Sequence, residues 1–341
     1  MSDLKHIACL DGWRGAAIAA LLLGHFFPVP GLNFGALGVN LFFVLSGLLM
    51  TNILFVQQQP LGTFYRRRIA RIFPSVYVFL VLMTGLFLLS GRKVSLLELL
   101  SAATFTNNYI MPDGRWSMPF GHVWSLSVEE HTYVVLSLLA LLTRAVGGKG
   151  LRAIAAVVCL VATIACVYAW THSGAALSRL YLHTEVAAFG IVVSGLVFLC
   201  GFKRQRTGWD RVAVPVLLLA GAAAHWWSAP APLRLLLGCG AFALAVNRLQ
   251  YAPQTVIKVF EFAPLRQIGV WSFSLYLWQQ PFYQLVRHDG MHPALGLGLS
   301  LVVGALAHYL IEKPARAWLN AHWGKPAAAR PQEEAPVLRR Q

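Results

Sequence analysis

Residues 35–56 read GALGVNLFFVLSGLLMTNILFV, a run of 22 residues without one charged side chain. Because about 20 apolar residues in a helix suffice to cross a bilayer core, this stretch predicts a membrane-spanning helix. Its glycines, Asn40 and Ser46 interrupt an otherwise apolar surface. Small residues allow helices to pack closely, and Asn40 is also a candidate for a polar pocket.

The whole chain has the same character. Of its 341 residues 57% are hydrophobic and only 12% are charged, and the mean hydropathy is +0.60. A soluble domain carries about 25% charged residues, so this chain cannot cover a water-facing surface. None of the five cysteines forms a CxxC pair, and no histidine spacing is typical of a metal site. These features exclude a secreted disulfide scaffold, a disordered protein and a nucleic-acid-binding domain.

Apolar runs of similar length recur along the sequence. Continuous runs, without the alternation of a β-barrel, predict an all-α polytopic membrane protein with about ten transmembrane helices. The predicted spans lie near 7–27, 35–56, 73–90, 121–143, 151–171, 181–200, 212–228, 232–248, 267–287 and 293–311.

The net charge of +15 records topology. If the N-terminus is cytoplasmic, 21 of the 28 lysines and arginines fall in inside connections, six fall outside, and Arg14 lies within the first span. The positive-inside rule therefore places both termini in the cytoplasm. Residues 1–312 form the predicted transmembrane domain, and 313–341, rich in Ala, Pro, Arg and Glu, a disordered cytoplasmic tail.

Ionisable residues inside the predicted spans are candidates for function, because burying a charge in a bilayer is costly. Arg14 and His25 are 11 residues apart in the first span, about 16 Å along one helix face. The alternatives stay open that Arg14 is an interfacial anchor and that His25 is a helix-packing residue.

The segment HVWSLSVEEHTY, residues 122–133, carries two adjacent carboxylates. Glu129 lies at a depth similar to that of His25, and a carboxylate beside an imidazole is the usual arrangement for proton transfer. Glu130 points about 100° away and is the weaker candidate. A purely structural hydrogen bond between Glu129 and His25 is the alternative. Tyr133 shares the stripe of Glu129, and Ser127 is a further pocket candidate.

Two other segments contain candidate binding residues. FYRRRIARIFP, residues 64–74, places Arg68 and Arg71 one helical turn apart, suited to phosphate oxygens or, alternatively, to lipid headgroups. In SFSLYLWQQP the residues Trp278, Gln279 and Gln280 precede a proline that frees a backbone carbonyl, so they are candidates to line a polar cavity.

Taken together, these segments resemble the acyltransferase-3 family of integral-membrane O-acyltransferases. The matching stretches occur in the family's order: LDGWRGAAIAALLLGH, GVNLFFVLSGLL, RRIARIFP, HVWSLSVEEHTY, SFSLYLWQQP and LIEKPAR. The resemblance implies a ten-helix core in the bacterial cytoplasmic (inner) membrane. It implies no permanently bound cofactor, acyl-coenzyme A as co-substrate, acetyl as the default group, and a glycan or other surface hydroxyl as acceptor. Many members have His where this chain has Gln279.

Carried over residue by residue, the resemblance implies that His25 is the catalytic histidine, that Glu129 assists it, and that Arg14, Arg68 and Arg71 bind acyl-coenzyme A. We expect His25 to take a proton from the acceptor hydroxyl while Glu129 orients its ring; an acyl-histidine intermediate is a variant. The loop with Asn107, Asn108, Trp116 and His122 is a candidate acceptor lip, since amides and an aromatic face suit sugar rings; a solvated loop is the alternative. The rival interpretations are a transporter or flippase for an anionic or lipid-linked solute, and a non-catalytic membrane sensor.

Overall fold

The computed structural model describes residues 8–111, 118–147, 150–201 and 208–323. These residues form an all-helical bundle whose only β-type pairing is an isolated bridge between Leu32 and Trp226. In chain order the helices are α1 Ala8–Phe26, α2 Phe34–Thr51, α3 Leu61–Leu89, α4 Leu96–Ala103, α5 Asn107–Ile110, α6 Trp124–Ala145, α7 Gly150–Thr171, α8 Gly174–Leu180, α9 Thr184–Ala187, α10 Phe189–Gly201, α11 Asp210–Ala223, α12 Ala231–Leu233, α13 Cys239–Arg248, α14 Gln254–Glu261, α15 Ala263–His288, α16 Pro293–Ala307 and α17 Lys313–His322.

Single turns of other helix types extend several of these helices. The π-turn Asn52–Val56 lengthens α2, Arg234–Gly238 connects α12 to α13, and His308–Glu312 connects α16 to α17. The 3₁₀ turn Gly121–Val123 precedes α6. α4 has eight residues and is too short to span a membrane.

Seven helical stretches of the described chain are long and apolar enough to cross a membrane by length and composition. They are Phe34–Val56, Leu61–Leu89, Gly121–Ala145, Gly150–Thr171, Thr184–Gly201, Ala231–Tyr251 and Pro293–His322. The protein is therefore a multi-pass membrane protein. The count of ten spans and the orientation of the termini stay predictions.

A helix is nevertheless present at each of the other three predicted spans, and each departs from a simple apolar span for a visible reason. α11 has only 14 residues. α1 carries Asp11, Arg14 and His25, and α15 carries adjacent glutamines. Polar side chains on these two helices face each other and the cavities of the bundle, as the contact between His25 and Gln279 shows, so neither helix is uniformly apolar.

Close packing of α1, α2 and α15 forms the centre of the bundle. A Cβ on Gly269 of α15 would lie 1.9 Å from the carbonyl oxygen of Asp11, and one on Gly47 of α2 would lie 2.0 Å from that of Ile191. Only glycine permits these approaches, so the packing interpretation of the small residues in α2 is confirmed.

The end of the described chain requires a correction. The prediction of a disordered tail is wrong for 313–322, which form α17 and pack against α3. The π-turn His308–Glu312 leads from α16 directly into α17, and Arg66 Nη1 donates to the carbonyl of Trp323 at 3.0 Å. The remaining tail, 324–341, lies outside the described residues.

Candidate active site

A cationic cavity, the arginine mouth, opens around the N-terminal half of α1. Its volume is about 430 Å³. The charged residues that line it are Asp11, Arg14, Arg67, Arg68, Arg71 and Arg316. Arg14 contacts Asp11 at 2.6 Å, which leaves a large excess of positive charge. Such a cavity is suited to a polyanionic ligand such as a nucleotide phosphate.

Arg68 differs from the other arginines of the mouth because two carboxylates hold its guanidinium. Nε donates to Glu130 at 2.8 Å and Nη2 donates to Glu129 at 3.1 Å, and the group lies 3.7 Å from the ring centre of Tyr133. Ser46 Oγ donates to Glu129 at 3.2 Å. The two arginines predicted to bind phosphate together therefore differ in role. Arg71 faces the mouth, whereas Arg68 is the counter-ion of a largely buried acidic pair.

The mouth adjoins a smaller central cavity of about 100 Å³. Arg14, Arg68 and Arg71 line both, together with Leu49 and Met50. Glu129, Tyr133 and Ser125 line the central cavity, whose remaining wall is mainly apolar. A slender chain that entered from the mouth would therefore pass through a narrow and mostly apolar space.

A third cavity, the histidine chamber, surrounds the C-terminal end of α1. It has a volume of about 1000 Å³ and is lined by His25, His122, Trp124, Gln280 and Tyr283, among others. The ring of His25 stacks on that of Tyr283, with centroids 4.3 Å apart. Arg14 and His25 thus lie in the cavities at opposite ends of α1, about 16 Å apart along its axis.

The hydrogen bonds of His25 define which of its nitrogens is available. Gln279 directs its amide nitrogen to Gln280 Oε1 at 3.2 Å and towards the carbonyl of Tyr276 at 3.5 Å. Its Oε1, 2.9 Å from His25 Nδ1, therefore accepts the Nδ1 proton. Nε2 then carries the lone pair. A Cβ on Gly35 would lie 3.9 Å from Nε2, so this glycine leaves space beside the basic nitrogen.

The predicted contact between His25 and Glu129 requires a correction. His25 is held by Gln279 of α15, and Glu129 is held by Arg68, Ser46 and Tyr133, the last at 3.0 Å. The two residues lie in adjoining cavities that share Val39 and Tyr276. Similar depth does not make two residues partners: the hydrogen-bond partner of His25 comes from α15 rather than from α6.

Only some of the predicted pocket residues line a cavity. Tyr133 lines the central cavity and Gln280 lines the histidine chamber. Asn40 instead contacts His225 at 2.8 Å, Ser127 donates to Asn107 Oδ1 at 2.8 Å, and Trp278 packs edge-on against Phe79. These last three hold helices together and line none of the three cavities described above.

The residues of the candidate acceptor lip likewise differ in position. His122 lines the histidine chamber, but Asn107 and Asn108 are fully buried. Asn107 donates to the carbonyl of Phe120 at 3.0 Å and Asn108 donates to Thr184 Oγ1 at 3.0 Å, so both fasten α5 to its neighbours. Trp116 lies outside the described residues.

Sequence reasoning missed the role of Gln279 as the partner of His25 and of Tyr276 as a wall between two cavities. The available signal was the polar cluster before Pro281, in which a phenol and an amide occur within four residues of each other. Spacing alone did not show which of these side chains would meet His25.

Comparisons with known proteins show the family of the chain. The acyltransferase-3 family model, described as "Acyltransferase domain", matches residues 7–311. The chain is 26% identical to the peptidoglycan O-acetyltransferase OatA of Listeria monocytogenes over 92% of this chain and 56% of that protein. It is 28% identical to BcsY of Komagataeibacter xylinus, provisionally named a membrane-bound transacylase, over 94% of this chain and 85% of that protein. The chain thus spans about half the length of the Listeria protein. No solved structure matches it significantly.

Proposed function

We propose, because this chain belongs to the acyltransferase-3 family, that it is a membrane O-acetyltransferase that moves an acetyl group from acetyl-coenzyme A to a hydroxyl group. The observation that carries the proposal is the row of three adjoining cavities along α1, with arginines at one end and His25 at the other. A transporter of anionic solutes would not require a histidine with a fixed tautomer in the far cavity.

The donor binds by its phosphates. Arg14, Arg67, Arg71 and Arg316 face the mouth, and guanidinium groups bind phosphate oxygens through paired hydrogen bonds. Arg68 stays paired with Glu129 and Glu130. It therefore holds the wall of the central cavity in place and does not bind a phosphate. The pantetheine arm extends through the central cavity towards His25, over a distance comparable to the ~16 Å that separates Arg14 and His25 on α1.

His25 is the general base. The acceptor hydroxyl gives its proton to Nε2 as its oxygen attacks the thioester carbonyl; the C–S bond then breaks, and the coenzyme A thiolate takes the proton from the imidazolium. Gln279 keeps the Nδ1 proton in place throughout. A positioned base contributes about 10²–10⁴-fold to a rate, so His25 accounts for much of the catalysis.

The acceptor enters from the histidine chamber. Its volume of about 1000 Å³ accommodates more than one sugar ring, and Trp124, Trp227 and Tyr283 offer aromatic faces on which such rings pack. The name of the Listeria relative points to a glycan hydroxyl as acceptor. We place the arginine mouth on the cytoplasmic side of the bacterial inner membrane and the chamber on the opposite side.

Purified protein in detergent tests this function. With acetyl-labelled acetyl-coenzyme A and soluble peptidoglycan fragments, the wild type releases free coenzyme A, and mass spectrometry shows labelled O-acetyl product. His25→Ala abolishes both signals, whereas His172→Ala, an exposed histidine just after α7, retains them. Equal turnover by wild type and His25→Ala, or no turnover by wild type, contradicts the proposal.

A further inference from the structure

Tyr276 occupies the boundary between the two halves of the proposed path. It extends from α15 and lines both the central cavity and the histidine chamber, and Val39 of α2 is the other residue that lines both. Tyr276 is only 7% exposed and Val39 only 8%. These two side chains therefore form the partition between the cavity that leads to the arginines and the cavity that contains His25.

Hydrogen bonds hold the tyrosine half of this partition closed. The phenol donates its proton to the carbonyl oxygen of His122, and Ser125 Oγ lies 2.7 Å from the phenol oxygen. Because a phenol has one proton, Ser125 must be the donor in the second bond. The ring of Tyr276 also packs against that of His122, with centroids 5.2 Å apart. One side chain thus connects α15 to the beginning of α6.

The reaction requires this partition to open. The thioester carbonyl has to come within bonding distance of an oxygen held beside His25 Nε2, and the route from the mouth crosses the position of Tyr276. Val39 is small and offers no polar bond to break. Displacement of the Tyr276 side chain is therefore the movement that connects donor and acceptor.

The same partition protects the donor. His25 would take a proton from a water molecule in the histidine chamber in the same way as it takes one from the acceptor hydroxyl. Attack by water on the thioester carbonyl forms a C–O bond and breaks the C–S bond, and the water proton passes through His25 to the thiolate, giving acetate and free coenzyme A. A closed partition keeps the thioester away from this water.

We propose that Tyr276 is a positioning residue that acts as a latch: its bonds to Ser125 and to the His122 carbonyl keep the two cavities apart until the donor arm displaces it. This inference rests on the proposed acetyltransferase function. In this inference the phenol of Tyr276, which does not belong to the His25–Gln279 pair, couples entry of the donor to transfer of the acetyl group.

The test is the ratio of hydrolysis to transfer in the purified full chain. Tyr276→Phe removes the bonds but keeps the ring, and Ser125→Ala removes only one of them. Free coenzyme A released without acceptor, divided by O-acetyl product formed with peptidoglycan fragments, is measured for each variant. We expect a rise of about 5-fold in Ser125→Ala, which loses one hydrogen bond worth about 1 kcal/mol, and a larger rise of about 30-fold in Tyr276→Phe, which loses both.

Tyr65→Phe is the matched control, since Tyr65 makes a similar 2.6 Å bond to Ser137 between α3 and α6 and lines none of the three cavities. It should leave the ratio unchanged. An unchanged ratio in both Tyr276→Phe and Ser125→Ala, or an equal rise in Tyr65→Phe, overturns the latch while leaving the proposed function in place. A wild type that turns over no acetyl-coenzyme A overturns the proposed function, and the latch with it.

Discussion

Replacement of Gln279 by leucine should reduce catalysis without disturbing donor binding. Gln279 is fully buried, and its Oε1 accepts the Nδ1 proton of His25 at 2.9 Å. Leucine has a similar volume and no acceptor. In the variant His25 can keep an unprotonated, basic Nε2 towards the chamber only by leaving its Nδ1–H without a partner.

The size of the effect is set by that unpaired group. Leaving a buried donor unsatisfied costs about 1–3 kcal/mol, and each 1.36 kcal/mol is tenfold in rate. We therefore expect kcat to fall about 5- to 150-fold, less than the loss in His25→Ala. The KM for acetyl-coenzyme A should hardly change, because the arginine mouth lies at the other end of α1.

Steady-state release of free coenzyme A in the presence of acceptor measures both constants. Gln284→Leu is the matched control, since it makes the same chemical change on the same helix at a residue that lines the same chamber. A kcat within twofold of wild type in Gln279→Leu, or an equal fall in Gln284→Leu, would refute the assigned role of the amide.

Two further predictions concern the arginines. Arg68→Ala leaves Glu129 and Glu130 without their counter-ion, and breaking a buried pair in this way costs about 3–5 kcal/mol. We therefore expect Arg68→Ala to lower the midpoint of thermal unfolding in detergent more than Glu129→Gln does. An equal or smaller shift would contradict the counter-ion role. Arg316→Ala should raise the KM for acetyl-coenzyme A about 2- to 5-fold at low salt and less at high salt. The control variant Arg211→Ala, at an exposed residue of α11, should leave this KM unchanged. Equal KM values in the two variants would show that Arg316 is not part of the donor site.

The sequence predicts helix positions and distances along a single helix well, because both depend on apolar run length and a fixed rise per residue. The separation of Arg14 and His25 into two cavities results directly from their spacing on α1. The membrane class and the family resemblance, carried by motifs along the whole chain, are confirmed.

Contacts between helices are harder to predict. Depth counted from a helix end placed Glu129 level with His25, but depth does not show which helices are neighbours. The bundle brings α15 against α1, so an amide of α15 meets His25, and the carboxylate of α6 meets an arginine of α3. Polarity alone likewise did not distinguish Asn40 and Ser127, which fasten helices, from Gln280, which lines the chamber.

Transfer across a sealed bilayer tests the central claim most directly. Purified protein is reconstituted into vesicles with labelled acetyl-coenzyme A on one side and peptidoglycan fragments on the other, and its orientation is determined by labelling a cysteine introduced at the mouth. We predict labelled O-acetyl product only when the donor faces the arginine mouth and the acceptor faces the histidine chamber, and none from His25→Ala. Product formed equally well with both substrates confined to the mouth side would contradict a path along α1.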